Sequence, residues 1–263
     1  MRDCPVTSVS AVTDRQPRMS IVTAVHPRDA GFLADAHGSL AAQTMTDWEW
    51  LVQGDGDALG EIERISHLDP RVRPAMCPPG SGVAATRNAA VARSRATVVR
   101  NLDADDMIAS ADVLERTLGL FGDSSVGFVL GPVLDLLADG TVRPFAEVLG
   151  GGRISAGTLY PMWEAAGRVL PAHPTALAVR REILDEHGGY PLVPHGEDTA
   201  FLLPMSQTVD GWFADFPLAL HRKREASMTG RLTDADRAIL RRTRDETARR
   251  ARGFAGGEPG TPA

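Results

Sequence analysis

The sequence predicts an α/β fold: a mostly parallel sheet with helices packed on its faces. Three observations predict it. Short β-branched runs alternate with stretches in which apolar residues recur every three to four positions. The segments between the runs are long enough for crossover helices rather than hairpin turns. The 263 residues, 43% hydrophobic and 24% charged, suffice to bury a core without disulfides or metal staples.

Residues 20–25 (SIVTAV) form the first strand, stopped by the turn residue Pro27. Phe32, Leu33, Ala36 and Leu40 mark a helix over 32–43, and WEWLV at 48–52 is a second strand ending at Gly54-Asp55-Gly56. A helix over 58–68, a short strand around Val72, a helix over 82–94 and a strand over 97–102 follow. Such βαβ units place ligands outside the carboxyl ends of the strands, where 23–26, Asp55 and 103–106 fall. In the second half, 128–137 reads as one or two strands before a loop at Gly150-Gly151-Gly152. A strand over 175–179, a helix over 182–187 closed by Gly188-Gly189, a helix over 197–207 and a late strand over 212–221 complete the domain. Residues 1–18 read as a loose leader. Residues 233–252 read as an exposed helix laced with ion pairs, in preference to an anion-binding arm, and 253–263 as a Gly/Pro tail that buries little.

Composition narrows the function classes. Lys and Arg number 28 against 34 Asp and Glu, a net charge of -6, which argues against a nucleic-acid binder. Cys4 and Cys77 exclude a disulfide framework. No apolar run is long enough to span a bilayer and no signal-peptide core opens the chain, so a cytoplasmic protein is expected. The run beginning Gly82-Val83-Ala84-Ala85 fits neither dinucleotide nor P-loop fingerprints, and no nucleophile elbow is present.

The most informative tetrad is Asp103-Ala104-Asp105-Asp106, directly after an apolar strand. Crowded carboxylates repel, and a divalent cation removes the repulsion; oxygen ligands suit Mg²⁺ or Mn²⁺. Along extended backbone Asp103 and Asp105 point the same way. The alternative is a solvated loop in which Asp106 caps a helix beginning near Ile108.

Taken together, the residues resemble the family 2 glycosyltransferases of GT-A fold. The stretches that carry the likeness are Ser20 to Val25, Ser39-Leu40-Ala41-Ala42-Gln43-Thr44 with Trp48 to Val52, and Gly82 to Asn88. Leu102-Asp103-Ala104-Asp105-Asp106, Arg180-Arg181 with Gly188-Gly189-Tyr190, and Gly196-Glu197-Asp198 continue it, in the family's order over about residues 19–225. The resemblance implies a 19–230 domain, with 19–110 binding a nucleotide-sugar donor (a UDP-sugar favoured) and 111–230 binding a small-molecule or glycan acceptor.

Residue by residue, it implies that Thr23, Ala24 and His26 line the base and ribose and that Asp55 accepts from the base. The usual acidic pair is broken here, with Gly54 in its first place and Asp57 where Ser is common. Arg87 reaches the nucleotide, although it could instead ion-pair with Asp55 or Asp103. Asp103, Ala104 and Asp105 form the metal-and-ribose motif, with the metal on Asp105 or Asp106. Glu197 and Arg222 approach the donor, the latter within His221-Arg222-Lys223-Arg224 followed by Ser227 and Thr229. Asp198 is the base of an inverting displacement, and Trp163 and His173 contact the acceptor, although each also suits a structural role. No Gln-x-x-Arg-Trp motif is present, which favours transfer of a single sugar over processive synthesis. A homodimer is left open, as are a nucleotidyltransferase of related fold and an inactive nucleotide-sugar-binding module.

Overall fold

The computed structural model describes residues 16–56, 59–145, 149–224 and 232–255. Strand β1 (Met19–Val25), helix α1 (Leu33–Ala41), β2 (Trp48–Asp55), α2 (Leu59–Leu68), β3 (Val72–Cys77), α3 (Val83–Ala92) and β4 (Val98–Asn101) alternate as the sequence predicts. Helix α1 forms because Leu33, Ala36 and Leu40 share one face, and that face is buried. The inner face of α3 is built from Ala84, Arg87, Ala90 and Val91, small residues that bring its backbone close to the sheet and carry one arginine inward.

Then follow β5 (Met107–Ile108), α4 (Val113–Leu120), β6 (Phe128–Leu130), β7 (Val133–Leu136), β8 (Val142–Pro144), β9 (Gly152–Ile154) and α5 (Leu159–Ala165). The chain continues through β10 (Ala178–Arg180), α6 (Arg181–Glu186), α7 (Glu197–Met205), β11 (Gly211–Phe213), β12 (Ala219–Arg222) and α8 (Asp234–Ala255). The large sheet runs β3-β2-β1-β4-β10-β6-β11-β9 and a smaller one β5-β12-β7-β8. Strand β1 pairs in parallel with both β2 and β4, so the strand order reverses there. Such a switch point, at the carboxyl ends of β1 and β4, is where open α/β sheets bind ligands.

Three expectations are corrected, and one left open is settled. The helix expected near Ile108 begins at Val113, because Met107 and Ile108 pair with β12 instead. Of the one or two strands expected over 128–137 there are two, β6 and β7 in different sheets, parted at Gly131, where a Cβ would lie 2.8 Å from Leu218 Cδ1. The late strand over 212–221 is likewise two strands, β11 in the large sheet and β12 in the small one. Helix α8 is not solvated all round: Thr243, Thr247, Ala248 and Ala251 are buried, and Ala248 joins the same apolar cluster as Phe201, Leu203 and Trp163. Most of the leader and tail, together with Asp57, Ser227 and Thr229, lie outside the described residues.

The large sheet separates two cores, one holding Ile21, Trp50 and Leu114 and the other Val22, Phe128 and Trp163. Into the first, β4 inserts Arg100, fully buried and paired with no carboxylate among the described residues. Its Nη2 donates to Leu218 O at 2.8 Å, while Nε and Nη1 find no partner among the described residues. Burial alone lowers its pKa to about 10, a cost on the order of 3 kcal/mol at neutral pH. Arg100→Met keeps the length and removes the charge, and Leu218 O still accepts from Ala109 N. The substitution is expected to stabilise the fold by about 1–3 kcal/mol. Thermal unfolding checks it: a midpoint raised by several degrees is expected, and a lowered one refutes the assignment.

Candidate active site

The site is organised by Arg87, brought inward by α3. Its Nη1 donates to Glu197 Oε1 at 2.7 Å and its Nη2 to Asp103 Oδ1 at 3.1 Å. One buried guanidinium thus ties the carboxyl end of β4 to the first turn of α7, which lies 110 residues from it in the chain. The guanidinium lies over the Tyr190 ring at 5.0 Å, and the carboxylates together hold its pKa up against burial. Tyr190 is fixed in turn: its hydroxyl donates to Asn101, and its backbone exchanges hydrogen bonds with the Asn88 side chain. Gly189 has φ +73, and a Cβ there would meet Asn88 Oδ1 at 2.7 Å, so the Gly-Gly-Tyr turn is built to receive Asn88.

Of the acidic tetrad, Asp103 has a side chain 40% exposed. Desolvation raises its pKa against the pull of Arg87, with Asp106, Asp105 and Glu197 adding repulsion. Asp105 is also raised, first by burial and then by Asp106. It ion-pairs with Arg224, whose guanidinium also reaches Asp29 at 2.9 Å. Arg222 donates to the Asp105 carbonyl at 3.1 Å and to Asp35 at 2.6 Å. Both guanidinia lie over the Phe32 ring, at 5.0 and 4.7 Å.

Asp106 is neither a helix cap nor an open ligand. It is fully buried, and its oxygens accept from Thr175 Oγ1 at 2.8 Å and Arg222 N at 3.0 Å and contact His221 Nδ1 at 3.1 Å. Burial opposes a charge on His221, but the hydrogen bond and charge of Asp106 prevail and raise its pKa. Asp106 is therefore a strut tying the tetrad to β12. Ala104 is buried in the core and presents no side chain to the crevice.

At the ends of β1 and β2 the expectations divide. Thr23 is fully buried: its hydroxyl donates to Leu102 O at 2.7 Å and accepts from Trp50 Nε1 at 2.8 Å, so it binds strand to strand rather than lining the cleft. Ala24 is half-buried and His26 exposed, with His26 Nδ1 accepting from Arg28 N at 3.2 Å. Asp55 accepts from Ser81 N and Gly82 N, each at 3.0 Å, and so fixes the loop entering α3. It does not pair with Arg87. At Gly54 a Cβ would meet the Met76 side chain at 2.4 Å, so the methionine thioether fills the place of the missing acid.

Helix α7 starts from Gly196, whose φ of +80 is left-handed. Asp198 follows, its Oδ1 held by Thr199 N at 2.5 Å and Thr199 Oγ1 at 3.2 Å. Oδ2 makes no hydrogen bond among the described residues. Burial raises the Asp198 pKa to about 6, with Glu197 adding to it and Arg87 and Thr199 opposing. Asp198 lines a cleft of about 190 Å³, whose far side is made by Leu240, Thr243 and Arg244 of α8. Trp163 is buried and lines the same cleft. His173 does not line it. It accepts from Thr175 N at 3.3 Å and lies 4.3 Å from the His221 ring, with burial lowering its pKa to about 4.

Sequence reasoning placed Asp103, Arg87, Glu197 and Asp198 together, and the structure does so. It named Arg224 only within the basic run at 221–224, and it missed Asp29 and Asp35, which complete the charge network at Asp105. The signal available was the basic run Arg222-Lys223-Arg224 after His221, at the end of a strand. It also missed Asn88 and Tyr190 as the floor beneath Arg87.

The fold is that of GT-A glycosyltransferases. The chain superposes on S. aureus TarS residues 1–349 in complex with UDP-GlcNAc with a TM-score of 0.66 at 14% identity, covering 91% of this chain and 73% of that one. The complex of the same protein with UDP gives 0.64, again at 14% identity, with coverages of 88% and 65%. A longer S. aureus TarS structure gives 0.60 at 15% identity, covering 79% of this chain and 37% of that one. The family described as Glycosyl transferase family 2 matches residues 20–188, and the chain belongs to it. A curated relative, the O-antigen biosynthesis protein RfbC of Myxococcus xanthus, is 28% identical over 180 residues, 66% of this chain. The chain spans only 13% of that relative's length. Among the described residues no helix is long and apolar enough to cross a membrane.

Proposed function

We propose that this chain transfers a single sugar from a nucleotide-diphosphate sugar, a UDP-sugar being favoured, to an acceptor hydroxyl with inversion at the anomeric carbon. One observation carries the reading: the Arg87 bridge sets the tetrad at the strand tip and the α7 carboxylates around one crevice, with Asp198 facing a cleft from its edge. TarS, of similar fold, is described with UDP-GlcNAc and with UDP, which supports the choice of donor class.

The nucleoside meets the ends of β1 and β2, near Ala24, His26 and the Asp55-pinned loop. The donor's diphosphate lies toward Arg222 and Arg224, whose guanidinia suit phosphate oxygens. Asp198 Oδ2 takes the proton of the attacking hydroxyl while Thr199 holds Oδ1. Arg87 ion-pairs with Glu197 and orients the first turn of α7.

The donor set at the strand tip is hard oxygen, which suits Mn²⁺ or Mg²⁺. Among the described residues no group of three His, Cys, Asp or Glu side chains converges. Asp105, with Asp103 near it, would be the side chains that hold the ion. The chemistry it would supply is neutralisation of the departing diphosphate.

Assay of nucleotide-sugar donors with and without chelator tests the reading. Turnover of one donor, lost on chelation and restored by Mn²⁺ or Mg²⁺, is expected. Full turnover under chelation removes the ion from the scheme. Nucleotide binding without turnover of any donor makes the chain an inactive binding module.

A further inference from the structure

The cleft beside Asp198 is walled on one side by α8, beyond the 20–188 segment that defines the family. We propose that this cleft is the acceptor subsite, and that it selects an acceptor whose ring carries an anionic group, read by Arg244, with the reacting hydroxyl at Asp198. The proposal rests on the functional reading above and deepens it.

Volume and lining argue for a ring. At about 190 Å³ the cleft is smaller than the roughly 300–1,000 Å³ of sites that enclose a drug-sized ligand. It holds one ring of the acceptor and leaves the rest outside. Its walls are largely apolar, with Trp163, Leu170, Pro174 and Leu240, and Val169 at 60% exposure forms a lip.

Arg244 argues for the anion. Of the two arginines lining the cleft, Arg168 is engaged, with Asp245 and Glu164. Arg244 is half-buried in the cleft wall and has no carboxylate or hydrogen-bond partner among the described residues. The one acid lining the cleft is Asp198, the proposed base, and it makes no ion pair with Arg244, so an arginine in this wall is left for a carboxylate or phosphate brought by the ligand.

The framework is rigid where the proposal needs it to be. Arg168 adopts a left-handed φ of 67, the non-glycine exception among the described residues, and such conformations persist only where surrounding contacts impose them. Its guanidinium bonds Asp245 of α8 at 2.5 Å. At the other end of the cleft His195, three residues before Asp198, contacts Asp236 of α8 at 3.2 Å. A Cβ at Gly196 would approach Leu240 Cδ1 to 3.1 Å, so loop and helix are already in contact. Helix α8 and the Asp198 loop are therefore packed directly together, and the spacing between Arg244 and Asp198 becomes a ruler for the acceptor.

The test is binding by the whole chain, independent of turnover. Benzoate, phenyl phosphate and benzyl alcohol are titrated against the parent chain, Arg244→Gln and Arg241→Gln, the last an exposed arginine outside the cleft wall. The parent chain is expected to bind at least one of the two anionic probes roughly ten-fold more tightly than the alcohol. Arg244→Gln is expected to erase that preference while Arg241→Gln keeps it. Preference for benzoate assigns a carboxylate and preference for phenyl phosphate a phosphate. Equal affinity for all three probes in the parent chain, or a preference that survives Arg244→Gln, overturns the proposal. Donor hydrolysis, followed in the same variants, reports on the functional reading separately. Its absence in every variant sinks that reading and leaves the binding result standing.

Discussion

Replacing Asp198 by Asn is expected to lower sugar transfer by about 10²–10⁴-fold while nucleoside diphosphate binding stays nearly unchanged. The amide keeps the size of the side chain and its hydrogen bond from Thr199 but accepts no proton. The parent enzyme should show the same group in its pH profile. Burial raises the Asp198 pKa to about 6, so the base is progressively protonated as pH falls through that value. The rate constant kcat/KM should then drop toward ten-fold per pH unit below about 6 and level off above it. The Asn variant loses that acidic limb. A variant that loses nucleotide affinity in step with turnover, or an acidic limb that survives in it, removes Asp198 from the role of base.

The second large effect is on stability. Arg87→Met leaves Glu197 and Asp103 facing each other without the cation between them, and Glu197 is buried. Stranding a buried carboxylate in this way costs about 3–5 kcal/mol. The loss should be largest at neutral pH, where both acids are ionised in the unfolded chain, and should shrink as pH falls and both become protonated. Adding Glu197→Gln to Arg87→Met should recover a substantial part, because the amide carries no charge to strand. Urea unfolding of the single and double variants across pH 5–8 measures this. If the losses of Arg87→Met and Glu197→Gln simply add, the bridge is not the joint described above.

Much of this was legible in the sequence. The β-branched runs at 20–25 and 97–102 and the spacing of Leu33, Ala36 and Leu40 follow from local periodicity, and the corresponding elements form as expected. The acidic tetrad fell at a strand end, and Glu197-Asp198 opened a helix, because both are local patterns. What was not legible depends on partners far away in the chain. Met107 and Ile108 follow a helix-like pattern but are captured by β12, over a hundred residues later. Asp106 reads as one acid among three, and only Thr175 and His221 make it a strut. Helix α8 looked solvated because its buried seam is made of Thr243, Thr247, Ala248 and Ala251, which carry little hydrophobic signal. Its docking onto α7, and with it the cleft, could not be read from periodicity.

Arg222 and Arg224 reach their carboxylates across a shared Phe32 shelf. Most of the entropy of freezing two long basic side chains is thus surrendered on folding rather than when the donor arrives. On the proposed reading, incoming phosphate competes with Asp29, Asp35 and Asp105 for cations already standing in place. Donor capture becomes an exchange of anions on a fixed scaffold, and weakening that resting grip, as Asp35→Asn would, should tighten the hold on product as much as on substrate.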